Sequence, residues 1–253
     1  MNRTEYRHKR ILELIRAGKI DVEALALELN VSTPTIRRDL ASLSKDGVVT
    51  RTYGGAVLSR PLEEQTYSVR EQTNSEKKEA IAKAALALIE DGDTLLLDSG
   101  TTIAALGRQL VDRKVKVITT NLAIVPQLVR RGIDVTVLGG SVRPSSLAVI
   151  GPFAEMNLRR LTSDKAFLSG DGIVAELGLC EATPEQCSLK ELIMTQTRQT
   201  IVLADSSKLG QTNQQYWAQF PNSWTLITDF SASEEQLLSF QAEENLEIII
   251  AEK

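Results

Sequence analysis

Short apolar runs that alternate with helical patterns constrain the fold of this chain more than any other feature. The runs are Thr94–Leu97, Val115–Thr119, Val135–Leu138, Lys165–Leu168, Thr200–Ala204, Trp224–Thr228 and Glu247–Ile250. Such an alternation is typical of an α/β domain with a mostly parallel sheet. We therefore predict this domain over residues 75–253. Its predicted helices include Glu76–Glu90 and Glu185–Gln199, whereas Val142–Asp164 has no clear pattern.

The first 57 residues have a different pattern, that of three short helices and a hairpin. Helices are predicted at Thr4–Arg16 and Val22–Leu29, and a third begins within Val31–Leu40. Because only a tight turn fits between the second and third helices, the arrangement is a helix-turn-helix. β-Branched residues on both sides of Gly54-Gly55 predict a small hairpin. Residues 1–57 are thus predicted to form a small α+β domain, a winged helix-turn-helix.

The third predicted helix has an apolar side and a basic side. At about 100° per residue, Ile36, Leu40 and Leu43 fall on one side. An ordinary surface helix with solvated charges would show the same pattern. The turn before it and the hairpin after it favour instead a helix that enters the DNA major groove. The predicted DNA contacts are Ser32, Thr33, Thr35, Arg37 and Arg38 on the helix, with Arg51 and Tyr53 in the hairpin.

Charge is distributed unevenly along the chain. Residues 1–60 contain eleven Lys and Arg against seven Asp and Glu, a net charge of +4. Because the whole chain carries a net charge of −4, the remaining residues carry −8. A basic small part and an acidic large part suit a polyanion-binding module on a body that does not bind polyanions. No apolar run is long enough to span a bilayer, and we expect a cytoplasmic protein without membrane contact.

Metal and histidine chemistry find little support in the composition. His8 is the only histidine, and Cys180 and Cys187 match no metal or redox spacing. We therefore expect neither a metal site nor a cofactor. Residues 58–74 contain Pro61, several Glu and Gln, and little periodicity, so they are predicted to be an exposed linker.

Polar residues follow nearly every predicted strand. In open α/β sheets, ligands bind beyond the carboxyl ends of the strands. Loops with such residues are Asp98–Thr102, Thr120-Asn121, Gly139-Gly140, Ser169–Gly172 and Asp205–Lys208. If the strands are adjacent, these loops converge into one site.

The loop Asp98-Ser99-Gly100-Thr101-Thr102 carries the sharpest signal. Its glycine allows close approach of the backbone, its hydroxyls donate hydrogen bonds, and the helix that follows offers N–H groups to a phosphate. A well-capped turn from a strand to a helix has the same composition. With Lys208 as a cation, and Asp171 and Asn121 for sugar hydroxyls, a small phosphorylated polyol becomes the better interpretation.

The motifs together resemble the DeoR family of bacterial transcriptional regulators. The first part of the resemblance lies in Val31–Leu40, Leu43, Gly47 and Arg51–Ala56. The second lies in Asp98–Thr102, Thr120-Asn121, Gly139-Gly140, Phe167–Ile173, Lys190 and Asp205–Lys208. The resemblance implies a domain similar to ribose-5-phosphate isomerase that senses a phosphorylated sugar. It also adds Lys190 to the predicted ligand residues, although the sequence around Lys190 fits a solvated lysine beside a buried stripe equally well. The family often has Gly at the position of Ser169, which leaves the shape of that loop and the identity of the effector open.

Two functions fit these motifs. The first is a DNA-binding transcriptional regulator, a repressor of a carbohydrate operon, that works as a homodimer or homotetramer and responds to a sugar phosphate. The alternative is a sugar-phosphate isomerase or deaminase with an appended DNA-binding domain. Such an enzyme needs a positioned acid and base. Asp171 is one candidate, but its run holds no second carboxylate and this half of the chain has no histidine, which favours binding without turnover.

Overall fold

The computed structural model describes residues 3–16, 21–45, 49–52, 55–58 and 66–253. Its N-terminal domain contains helices α1 (Arg3–Arg16), α2 (Val22–Glu28) and α3 (Thr33–Lys45), followed by antiparallel strands β1 (Val49–Thr52) and β2 (Gly55–Leu58). The predicted winged helix-turn-helix is thus confirmed in the order and type of its elements.

Local capping and a small shared core hold these helices. The carboxylate of Asp21 accepts hydrogen bonds from the backbone N–H groups of Glu23 and Ala24 at 2.8 and 3.0 Å, which fixes the start of α2. The carbonyl of Ser32 accepts from Thr35 N–H at 2.9 Å, where α3 begins. The buried core side chains include Ile11, Leu14, Leu25, Ile36, Leu40, Leu43, Val49 and Ala56. The predicted apolar side of α3 is therefore the side that packs inward.

The larger domain alternates helices and strands. In chain order its elements are α4 (Tyr67–Gln72), α5 (Ser75–Leu86), β3 (Thr94–Leu97), α6 (Thr101–Gln109), β4 (Lys116–Thr119), α7 (Val125–Arg130), β5 (Asp134–Val137), β6 (Ser141–Arg143), β7 (Ala148–Ile150), α8 (Pro152–Leu158), β8 (Ser163–Leu168), β9 (Gly172–Val174), β10 (Gly178–Glu181), α9 (Pro184–Thr195), β11 (Thr197–Leu203), β12 (Tyr216–Ala218), β13 (Trp224–Asp229), α10 (Glu234–Gln241) and β14 (Leu246–Ala251). Within the described residues, no helix is long and apolar enough to cross a membrane.

Seven of these strands form one parallel sheet in the order β14-β13-β11-β8-β3-β4-β5. Successive side chains point to opposite faces, so Leu96 enters one hydrophobic cluster while Leu95 and Leu97 enter the other. Burial on both faces explains why the predicted inner strands, such as β3 and β13, are nearly continuous apolar runs. The predicted α/β class with a mostly parallel sheet is confirmed.

The order of the strands reverses at the centre of the sheet. From β3 the chain moves outward through β4 and β5, then returns to β8 and moves the other way through β11, β13 and β14. β3 and β8 are direct neighbours, with Leu96 paired to Ala166. In such sheets the point of reversal leaves a crevice beyond the carboxyl ends of the strands.

Two smaller antiparallel sheets lie outside what the sequence predicts. β6, which begins at Ser141, pairs with β7 in and just before the stretch Val142–Asp164, and β12, β10 and β9 form a three-stranded sheet. The predicted helix Glu185–Gln199 is wrong at its end, because α9 stops at Thr195 and β11 begins at Thr197. Backbone pairing of Thr197 with Ser163 in β8 extends the strand toward the helix.

The predicted linker, residues 58–74, requires correction in its second half. α4 lies there, and Tyr67 packs against the hydrophobic cluster beneath α5 and α6. Burial raises the pKa of this tyrosine to about 12. The larger domain therefore includes residues 66–74, and residues 59–65 lie outside the described part of the chain. A six-residue helix is too short to show clear periodicity in a polar sequence.

Candidate DNA interface and ligand cavity

The exposed side of α3 carries the candidate DNA contacts. Arg37 and Arg38 are exposed, while Ile36 and Leu40 on the opposite side are buried. Ser32, Thr33 and Thr35 lie at the start of the same helix. The structure thus brings five of the seven predicted residues together. The side chain of Arg51, and Tyr53 as a whole, lie outside the described residues.

Asp39 fixes the orientation of α3 against α1. Its Oδ2 accepts from Arg7 Nε at 2.5 Å, and its Oδ1 lies 3.0 Å from Arg7 Nη2 and 3.1 Å from His8 Nε2. Burial raises the pKa of Asp39, but the hydrogen bonds and charges of Arg7 and then His8 lower it below its ordinary value. A bidentate pair between arginine and carboxylate is directional, so it holds the helix in one rotation.

A polar cavity of about 270 Å³ lies beyond the carboxyl ends of β3, β8 and β11. This position is the reversal point of the sheet order. Its lining includes Arg70, Thr73, Asn74, Lys78, Ser99, Gly100, Thr101, Thr102, Ser146, Ser169, Gly170, Asp171, Glu181, Gln186, Lys190, Asp205, Ser207, Lys208 and Asn213. Cations, carboxylates and hydroxyls make this surface suited to a small, anionic, hydroxylated ligand.

Gly100 permits the close approach of two loops at the cavity. It caps α6 at φ +117°, and a Cβ atom there would lie 2.5 Å from Ser169 Oγ. Asn121 Nδ2 donates to the Gly100 carbonyl at 3.1 Å, which holds the loop from the far side. The first turn of α6, with Thr101 and Thr102, therefore lines the cavity. N–H groups and the positive dipole end of such a turn favour an anion.

Lys190 lies at the centre of a buried charge cluster. Only 3% of its surface is exposed. Its ammonium is paired with Asp98, lies 3.2 Å from Glu181 Oε1, and donates to the Ser169 carbonyl at 2.6 Å. Burial lowers the pKa of Lys190, but the charges of Asp98 and Glu181 outweigh it and raise the pKa. Lys190 is therefore a charged, internally paired residue at the cavity wall, not a solvated one.

Glu181 is the second carboxylate that the Asp171 run lacks. The antiparallel β9 and β10 bring it to the same cavity, although it lies ten residues further along the chain. Burial raises its pKa to about 8, against the opposing charge of Lys190. Its Oε2 accepts from Gln186 Nε2 at 2.7 Å, and its Oε1 faces Lys190. Both oxygens are thus engaged within the protein, and the run around Asp171 gives no indication that this second carboxylate lies at the cavity.

The predicted ligand residues divide into three groups. Those that line the cavity are Ser99, Gly100, Thr101, Thr102, Asp171, Lys190 and Lys208. Those buried behind it are Asp98, Thr120 and Asn121, and Thr120 Oγ1 donates to Asp98 at 3.2 Å.

Gly139 and Gly140 form the third group, which the structure does not bring to the cavity. They turn the chain from β5 to β6, with φ values of +73° and +122°. A Cβ on Gly140 would lie 2.6 Å from the Ile150 carbonyl. These glycines therefore serve backbone packing.

Several lining residues escape sequence reasoning because they come from outside the strand ends. Arg70, Thr73, Asn74 and Lys78 belong to α4, α5 and the turn between them. Asn74 has φ +55°, and its amide donates to Asp205 Oδ1 at 3.0 Å. An asparagine before Ser75-Glu76 is a helix-start signal that the sequence contains, but nothing in it indicates contact with the strand ends.

The two domains together define a class of DNA-binding regulator that carries its own ligand-sensing domain. Residues 7–61 match the model of the DeoR-like helix-turn-helix domain, and residues 73–230 match that of the DeoR C terminal sensor domain. The chain belongs to the DeoR family of transcriptional regulators.

Curated relatives match over nearly the whole chain. The HTH-type transcriptional repressor GlcR of Bacillus subtilis is 34% identical over 88% of this chain and 89% of its own length. The lactose phosphotransferase system repressor of Lactococcus lactis subsp. lactis is 32% identical over 92% of this chain and 94% of its own. Among solved structures, ribose 5-phosphate isomerase A of Methanocaldococcus jannaschii aligns with a TM-score of 0.40 at 21% identity, over 54% of this chain and 55% of that one.

Proposed function

We propose that this regulator represses a carbohydrate operon and is controlled by a phosphorylated sugar bound in the cavity. The observation that carries the proposal is the cavity itself, in which the first turn of α6 lies near cationic and hydroxyl side chains. The names of the two relatives, a repressor and a lactose-system repressor, agree with it.

The cavity offers different chemistry to the two ends of such a ligand. The α6 N-terminus, Thr101 and Lys208 suit a phosphate. Asp171, Gln186 and Asn213 offer acceptors and donors to sugar hydroxyls. At about 270 Å³ the space is near the lower end of ligand pockets, roughly 300 Å³, which fits a small metabolite.

The ligand is tested by thermal unfolding with ribose 5-phosphate, glucose 6-phosphate, fructose 1-phosphate and glycerol 3-phosphate. At 100 times its Kd, a ligand that binds only the folded state adds about 2.7 kcal/mol to the free energy of unfolding. Inorganic phosphate and the unphosphorylated sugars are the controls. Lys208→Ala should abolish the shift and keep operator binding, and Lys116→Ala, an exposed change on β4, should behave as wild type. A full shift in Lys208→Ala would contradict the phosphate assignment.

For DNA, we propose that α3 reads the operator with Arg37 and Arg38, that the hairpin contacts the backbone, and that a homodimer or homotetramer supplies the second half-site. A bidentate base contact contributes about 1–3 kcal/mol. Arg38→Ala should therefore weaken specific operator binding by roughly 5- to 150-fold and reduce its dependence on salt, as measured by fluorescence anisotropy. Arg198→Ala, an exposed change on β11, is the control. If Arg38→Ala protects the operator in a footprinting experiment as well as wild type does, α3 is not the recognition helix. If a monomer binds the operator with full affinity, the proposed homodimer or homotetramer is refuted.

A second candidate function, isomerisation of the bound sugar phosphate, is favoured by Asp171 and Glu181 lining the same cavity. Both oxygens of Glu181 are engaged by Gln186 and Lys190, and for that reason we propose binding without turnover. We propose that no cofactor is needed either, because the chain has one histidine and its two cysteines match no metal or redox spacing. Turnover of ribose 5-phosphate that is lost in Asp171→Asn would establish the enzyme instead.

A further inference from the structure

We propose that Arg70 contacts the bound ligand and that α4, which carries it, transmits occupancy of the cavity to the DNA-binding domain. The inference rests on the proposed function and adds a residue and a route to it. It depends on the contacts of α4 and on its place in the chain.

The guanidinium of Arg70 lies between two walls of the cavity. Its Nη2 donates to the Ser145 carbonyl at 3.0 Å, in the turn between β6 and β7. Its Nη1 lies 3.7 Å from Asp171 Oδ1, on the β8–β9 side. This second distance exceeds that of a charge-assisted hydrogen bond, about 2.7–2.9 Å. A ligand anion that forms shorter contacts can therefore compete with Asp171 for the guanidinium.

The backbone of the same residue is held by α5 and α6. Lys78 Nζ donates to the Arg70 carbonyl and, at 2.7 Å, to the Thr73 carbonyl. Only 5% of the Lys78 surface is exposed. Thr101 Oγ1, in the first turn of α6, lies 3.5 Å from the Arg70 carbonyl. Because a helix end leaves its last carbonyls unpaired, the lysine completes α4 and couples its end to the cavity wall.

An ion pair and apolar packing also hold α4 against the rest of the larger domain. Glu71 Oε1 accepts from Arg108 Nη1 at 3.0 Å, on α6. Tyr67 packs against the cluster under α5 and α6. Three side chains of α4 thus make separate contacts: Tyr67 with the core, Arg70 with the cavity and Glu71 with α6.

The place of α4 in the chain gives these contacts a consequence. Eight residues separate it from the end of β2, so it is the first described helix of the larger domain after the DNA-binding domain. A ligand shifts an equilibrium only if it binds one arrangement better than another. Ligand contact with Arg70 would stabilise one position of α4, and α4 is the helix that follows the DNA-binding domain in the chain.

The test compares Arg70→Met, Arg70→Lys and wild type, with Arg198→Met as an exposed control. The measured quantity is the ratio of operator affinities without and with each of the four sugar phosphates named above, so each variant is compared with its own ligand-free state. Hydrogen exchange of the α4 amides is followed in parallel. We expect the ratio in Arg70→Met to fall at least tenfold toward 1 and a partial response in Arg70→Lys. A ligand-dependent gain of protection in α4 is expected in wild type and in Arg70→Lys, but not in Arg70→Met.

Two failures are distinguishable. If wild type shows a thermal shift but Arg70→Met keeps the wild-type ratio, or α4 protection is unchanged by ligand, the role of Arg70 and α4 is overturned and the proposed function stands. If none of the sugar phosphates shifts wild type, the proposed function falls and the inference falls with it.

Discussion

Replacement of Lys190 by Met should destabilise the larger domain strongly, and more at high pH than at low pH. The substitution removes an ammonium that is paired with Asp98, lies 3.2 Å from Glu181 and donates to the Ser169 carbonyl. It keeps a side chain of similar length but leaves buried carboxylates without their cation. Breaking a buried ion pair in this way costs about 3–5 kcal/mol. For 150–250 residues, about 2–4 °C per kcal/mol gives a fall in Tm of roughly 6–20 °C.

The pH dependence of this loss follows from Glu181. Its folded pKa is already raised from 4.5 to about 8 by burial, and removal of Lys190 takes away a charge that lowers it. Protonation of Glu181 then relieves one of the two unpaired charges. Because a raised folded pKa favours the folded state at low pH, the deficit of the variant is smaller at pH 6 than at pH 9.

The assay is urea unfolding followed by circular dichroism at both pH values. Lys116→Met, an exposed change on β4, should alter the free energy of unfolding by less than about 0.5 kcal/mol. The double variant Asp98→Asn with Lys190→Met should recover part of the loss, since it removes one buried charge. A Lys190→Met variant within about 1 kcal/mol of wild type at both pH values would refute the buried-cluster reasoning, given the loss expected for a broken buried pair.

Three further predictions concern other parts of the molecule. The raised pKa of Glu181 makes the free energy of unfolding of wild type fall as pH rises from 4.5 to about 8. Glu181→Gln should reduce this fall. If urea unfolding gives the same change of unfolding free energy with pH in both proteins, the prediction is contradicted. Gly100→Ala should lower the free energy of unfolding by about 1–3 kcal/mol in thermal unfolding, because φ is +117° and the new Cβ would clash with Ser169 Oγ. Adding Ser169→Ala to this variant should recover only the part of the loss that the clash causes. A Gly100→Ala variant as stable as wild type would show that the two loops are not tightly packed. Asp39→Asn should destabilise the DNA-binding domain by about 1.5–3 kcal/mol, because it weakens the charged hydrogen bonds from Arg7. It should also weaken operator binding, while the thermal shift caused by the ligand persists. Unchanged operator affinity and stability would show that Asp39 does not hold α3 in place.

The sequence predicts the middle of the central sheet well because strands such as β3 and β13 are buried on both faces. The predicted run Thr94–Leu97 has the same ends as β3, since a continuous apolar run has few alternative structures. The smaller sheets escape prediction because their strands are only three or four residues long, and β9 and β10 also begin with glycine. β10 pairs Cys180 with Trp217, thirty-seven residues further along the chain, and no local pattern records such a contact.

The site shows the same division between local and distant information. The rule that ligands bind at strand ends locates Gly100, Asp171 and Lys208. It cannot locate Arg70 or Lys78, since their helices lie beside the sheet and not at the ends of its strands. The role of Lys190 also depends on resemblance, because a lysine next to a buried stripe has no local signal that distinguishes a buried pair from a solvated charge.

The reversal of strand order between β3 and β8 has a consequence for the folding of the domain. The cavity takes Thr101 from the half that contains β3, and Asp171 and Lys208 from the half that contains β8. A ligand held by both halves acts as a reversible cross-link across the middle of the sheet. Partial opening of either half would then release the ligand, so its binding energy opposes both openings. Occupancy should therefore merge two separately opening units into one, which protects a regulator in its ligand-bound form from proteolysis.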